Sequence, residues 1–131
     1  MNTTVTAYLC CDGAGKAIDF YKAAFGAEEI ARYPEPDGRL GHAEFRIGET
    51  ILFISDEFPE FNARSPHSLG GSAVALVIRV PDADAAFAKA VSAGATIDRP
   101  VVDTPPVRGG WLRDPWGHRW SVVTTAEQDG E

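Results

Sequence analysis

The chain has 131 residues, 44% hydrophobic and 24% charged, which suits one globular domain over 1–131 that needs neither disulfide nor metal to fold. Twelve Lys and Arg against 19 Asp and Glu leave a formal charge of −7, which argues against sequence-independent nucleic-acid binding. No apolar run approaches the roughly 20 residues of a membrane span. The start, MNTTVTAYLCC, lacks the basic and apolar regions of a signal peptide, so the expected location is cytoplasmic.

In chain order, TVTAYLC (4–10) is the first predicted strand. Cys10 and Cys11 follow each other along it and point to opposite faces, so they are expected to be free thiols rather than a disulfide. After the break CDGAG, a helix over 15–26 carries Ile18, Tyr21, Ala24 and Phe25 on one apolar face and stops at Gly26. A short strand, EEIARY (28–33), precedes the hairpin GHAEFRIGETILFIS (41–55), which turns at Gly48-Glu49. The segment EFPEFNARSPHSLGG (57–71) is rich in turn formers and is expected to be a linker. The series then recurs: strand SAVALVIRV (72–80), break PDAD, helix 83–94 ending at Gly94, strand ATIDR (95–99) and hairpin 108–125 turning at Asp114-Pro115-Trp116-Gly117. Gly26 and Gly94 are 68 apart, and Gly48 and Gly117 are 69 apart, as a duplicated βαβββ unit requires. The two modules are expected over 3–56 and 72–125.

Period two on 41–47 places Ala43, Phe45 and Ile47 on one face and His42, Glu44 and Arg46 on the other. A His and a carboxylate at i and i+2 serve either as an acid/base pair or as two solvated members of a strand face. Trp111 and Arg113 share one face of the last hairpin, while Trp120 and Val122 are expected in the core. Trp111, beside Gly109 and Gly110, is a candidate to flank a planar ligand or to sit at a rim or subunit contact. Trp116 in the turn is expected on a contact surface. The linker is long enough to act as a flap, with Phe58 and Phe61 able to cover a ligand and with His67 beside them.

Four pieces together, AIDFYKAAFGAEE (17–29), HAEFRIGETILFISDE (42–57), VPDADAAFAKAVSAGATI (80–97) and RDPWGHRWSV (113–122), resemble the vicinal oxygen chelate superfamily. That superfamily holds glyoxalase I, bleomycin-resistance proteins and extradiol dioxygenases, and the likeness is greatest to its PhnB-like branch. The resemblance implies an α+β fold: two tandem βαβββ modules forming an open, cup-shaped antiparallel sheet with helices on the convex side. It also implies a small-molecule ligand in the cup and a homodimer. The enzymes of the superfamily hold a divalent metal with residues from the first and last strand of each module. In the pattern DPxGxxxE the last-strand glutamate position is Ser121 here, and 69 residues earlier stands Leu52. The first-strand positions fall at Ala75 and near Val5 or Thr6. None is a metal ligand, so no metal and no other cofactor is expected. The expected function is ligand or antibiotic sequestration, with His42, Glu44, Leu52, Trp111, Arg113 and Ser121 around the ligand. The alternative is a lyase or isomerase type of enzyme with an atypical or metal-free site at His42 and Glu44.

Overall fold

The computed structural model describes residues 2–125. The first module comprises β1 (Tyr8–Cys10), α1 (Ala14–Phe25), β2 (Glu28–Pro34), β3 (Leu40–Ile47) and β4 (Thr50–Ser55). A single 3-10 turn (Pro59–Phe61) and the short α2 (Pro66–Leu69) occupy the linker. The second module comprises β5 (Ala75–Arg79), α3 (Ala83–Ala93), β6 (Thr96–Thr104), β7 (Val107–Arg113) and β8 (Arg119–Thr125). Each module forms one four-stranded sheet, in the orders β1-β4-β3-β2 and β5-β8-β7-β6. The repeat is thus present as read, with one parallel pair in each otherwise antiparallel sheet: β1 beside β4 and β5 beside β8.

The helices follow from apolar spacing and from their ends. Ala14, Ala17, Ile18, Tyr21 and Ala24 give α1 one buried stripe, and Gly26 ends the helix at φ 70°. Its amino terminus has no side-chain cap of its own. Asp56, just past β4, supplies one: Oδ1 accepts from the amides of Gly13 (3.2 Å) and Ala14 (2.6 Å), and Oδ2 from Leu40 (2.6 Å). A carboxylate there offsets both the orphan amides and the helix dipole. In α3 the capping residue is Asp82, which accepts from the Ala85 amide.

One face of each sheet carries a helix, and α1 packs against α3. The core is therefore continuous across both modules. Tyr21 stacks on Phe45 at 5.1 Å and meets Trp120 at 5.6 Å. The other face of each sheet carries no helix. No helix among the described residues is long and apolar enough to cross a membrane.

Candidate ligand site

The stretch 113–120 joins the modules. Asp114 is 4% exposed, and each of its oxygens accepts two hydrogen bonds. Oδ1 takes the amides of Trp116 and His118, both at 3.0 Å, and so fixes the turn. Oδ2 takes the Tyr21 hydroxyl at 2.5 Å and Trp120 Nε1 at 3.0 Å. Tyr21 belongs to α1, so this carboxylate ties one module to the other. Burial, and next the Asp114 charge, hold the Tyr21 phenol well above its ordinary pKa. Trp116 Nε1 donates to the Asp12 carbonyl (2.9 Å) and His118 Nε2 to the Cys10 carbonyl (2.8 Å). Trp116 is thereby half-buried against α1 and meets Phe20 edge-on, rather than standing free as a contact surface. Gly117 has φ +92°, and a Cβ there would lie 2.9 Å from Pro66 Cβ, so α2 closes over the turn.

The first sheet presents Tyr8, Cys10, His42, Glu44, Arg46, Phe53 and Ser55 on its helix-free face. This follows from the register, in which Tyr8 pairs with Phe53 and Phe53 with Glu44. His42 and Glu44 do meet: Nε2 lies 3.0 Å from Glu44 Oε2. The other ring nitrogen, Nδ1, lies 2.7 Å from the Tyr8 hydroxyl. Tyr33 stacks on the imidazole at 5.9 Å, and Phe53 meets it edge-on at 4.9 Å. Tyr8 is half exposed, and burial raises its pKa.

Beside this group lies a cavity of about 540 Å³, lined by Tyr8, Cys10, Gly41 and Ser55 from the sheet and by Phe58 and Phe61 from the linker. Glu35 and Arg64 stand at its walls. The linker walls one side of an open cavity here, and that wall is pinned. Phe58 and Ala63 exchange backbone hydrogen bonds, and the Arg39 guanidinium sits 3.9 Å over the Phe58 ring while bonding Glu60. At the base Glu57 Oε2 accepts from the Ser65 amide (2.7 Å) and from the hydroxyls of Ser65 (2.6 Å) and Ser68 (2.5 Å). The two hydroxyls hold the Glu57 carboxyl down to about 2. Burial, and next the Glu57 charge, push the Cys10 thiol up to about 11. It therefore faces the cavity as a neutral thiol. Cys11 points into the core and is fully buried. His67 is exposed and does not line this cavity.

The second sheet places Trp111 and Ser121 side by side in register, with Gly109 and Val123 beside them in a separate groove of about 210 Å³. Arg119 stands 5.1 Å over the Trp111 ring. Arg113 shares this face but is bonded to Asp98 at 2.7 Å. Within one chain, Trp111 and Ser121 therefore line a different cavity from the one beside His42 and Glu44.

Leu52 requires a correction. It is 4% exposed and pairs with Phe45 on the helix side of the sheet, where it borders a separate cavity of about 480 Å³ with Leu76 and Trp120, not the one beside His42 and Glu44. Between the hairpin turns and the last strands the module offset drops from 69 to 68. Ser121, between Val77 and Trp111, therefore matches Phe53, between Tyr8 and Glu44. One residue of slip along a strand reverses the face, so Phe53 rather than Leu52 shares the face of Glu44.

The fit of a divalent ion can be judged from the donors. Ser121, Phe53, Ala75 and the residues before β1 offer no imidazole and no carboxylate at the expected positions. Among the described residues no three His, Cys, Asp or Glu side chains converge as a metal centre requires. These positions do not suit the superfamily's metal.

The paired βαβββ sheets, with helix-free faces open to a ligand, define the class of fold. The chain belongs to the glyoxalase/bleomycin resistance protein/dioxygenase superfamily, whose family model matches residues 3–122. It is 41% identical over 119 residues to an uncharacterized protein of Mycobacterium tuberculosis, covering 88% of this chain and 70% of that one. It is 33% identical over 121 residues to the anthracycline biosynthesis protein DnrV of Streptomyces peucetius, covering 91% of this chain and 40% of that longer protein. A solved structure of a PhnB protein from Bacillus cereus superposes with a TM-score of 0.73 at 21% identity, covering 94% of this chain and all of that one, which is a likeness of fold.

Proposed function

We propose that the chain is a metal-independent small-molecule-binding protein that sequesters a planar, largely apolar ligand on the helix-free face of its first sheet. The observation that carries this reading is the open 540 Å³ cavity lined by Phe58 and Phe61 beside Tyr8, Cys10 and Ser55. Aromatic walls with a few polar groups suit a flat aromatic molecule. The similarity to an anthracycline biosynthesis protein supports a ligand of that planar, polycyclic kind. The ligand is held and released unchanged. A second copy of the chain covers the helix-free faces, where Tyr33, Val77 and Val102 are otherwise exposed.

The test is a thermal-shift screen of planar aromatic compounds, followed by mass spectrometry of the recovered ligand. Stabilisation of wild type, lost in the Phe58→Ala/Phe61→Ala double variant, with the ligand intact, is the expected result. A chemically altered ligand would favour the second reading, a metal-free lyase or isomerase. The specific observation behind that reading is the 3.0 Å contact of His42 with Glu44.

A further inference from the structure

The Tyr8–His42–Glu44 chain has a direction. A carboxylate only accepts hydrogen bonds, so in the neutral imidazole the hydrogen sits on Nε2 and is given to Glu44 Oε2 at 3.0 Å. Nδ1 is then the bare acceptor, and the Tyr8 hydroxyl donates to it at 2.7 Å. Tyr33 and Phe53 hold the imidazole from two sides, which keeps both contacts in place. The single hydrogen of Tyr8 is thereby committed away from the cavity that Tyr8 lines. What its oxygen has left to offer a ligand is lone pairs.

We propose that the Tyr8 oxygen is a hydrogen-bond-accepting anchor and that the ligand class of this cavity is a planar phenol, whose hydroxyl donates to Tyr8. His42 and Glu44 are positioning residues: they set the polarity of the anchor without touching the ligand. This deepens the reading of the cavity as a planar-aromatic site and rests on it. No bond need break. Where a ligand is acidic enough to ionise, its proton passes to the Tyr8 oxygen as the Tyr8 proton passes to His42 Nδ1, leaving a phenolate and an imidazolium paired with Glu44.

Binding of 2-naphthol and of its methyl ether, 2-methoxynaphthalene, by titration calorimetry tests the proposal, because the ether lacks the donor; the methyl group it adds is common to every variant and is controlled by the comparison with Tyr8→Phe. Wild type is expected to prefer 2-naphthol by about tenfold, the scale of one hydrogen bond to an oriented acceptor. Tyr8→Phe is expected to abolish that preference while keeping the ether's affinity, which also reports that the cavity is intact. His42→Phe frees the Tyr8 hydrogen to donate, so the preference should shrink or reverse toward the ether, an effect that a merely structural role of His42 would not give. Equal binding of both probes by wild type would overturn the anchor and leave the planar-aromatic reading standing. Binding of neither would overturn both. A preference that survives Tyr8→Phe but is lost in Glu35→Gln would assign the acceptor to the Glu35 carboxylate instead, and would also overturn the proposal.

Discussion

Replacement of Asp114 by Asn tests the link between the modules. The amide presents one oxygen and one NH2 group where the carboxylate presents two acceptors. With its nitrogen toward Tyr21 and Trp120, it faces the indole N–H of Trp120, which only donates; turned round, it faces the amides of Trp116 and His118. Either way at least one buried donor is left without an acceptor, and the remaining bonds lose the help of a full charge. A cost of ~3 kcal/mol follows, against ~1.5 kcal/mol for Tyr21→Phe, which removes one bond to a charged acceptor. At ~4 °C per kcal/mol for a chain of this size, Asp114→Asn should lower Tm by ~12 °C. The assay is urea unfolding followed by tryptophan fluorescence, on both single variants and the double variant. Because the two residues share a hydrogen bond, the double variant should lose less than the sum of the singles. An Asp114→Asn variant within ~0.5 kcal/mol of wild type, or strict additivity, would refute this account of the turn.

Other outcomes follow from the same geometry. Glu57 has a folded pKa near 2, below its ordinary value of 4.5, so the stability it contributes is complete above pH 4.5 and is lost as pH falls through about 2. The Ser65 amide resonance should accordingly titrate with a midpoint near 2 and not near 4.5. With Cys10 at about 11 and Cys11 buried, roughly one Cys10 thiol in a thousand is ionised at pH 8. Ellman's reagent should therefore modify both cysteines slowly in the native protein and titrate two thiols promptly only after denaturation. Fast modification of one native thiol would contradict the environment described for Cys10.

The repeat, the two helices and the final turn were legible because each rests on local chemistry. The glycines end helices, strand residues alternate, and Pro and Gly shape the turn. His42 and Glu44 were found because period two puts them on one face. Tyr8 carries no such signal, because a phenol on a first strand is neither a usual metal donor nor part of a local motif. Its place beside His42 depends on the β1-β4-β3 register, which joins segments more than thirty residues apart. Asp114 and Asp56 were missed for the same reason. Each looks like an ordinary turn acid, and its role is set by donors brought from distant segments. Leu52 shows the converse: an offset that holds at the turns slips by one residue within a strand and exchanges the two faces. β6 runs to Thr104, beyond the expected 95–99, because β7 continues to pair with it.

The central claim is ligand binding without a metal, and the most direct test joins two readings on one sample. Protein grown with Fe, Ni, Mn and Zn supplied, and freed of any affinity tag, is assayed for its elements and then titrated with 2-naphthol before and after treatment with a chelator. The account expects metal far below one atom per chain and the same affinity in both titrations. About one metal per chain, with binding lost on its removal and restored by adding it back, would contradict the account and move the search for ligands of that metal to His42 and Glu44.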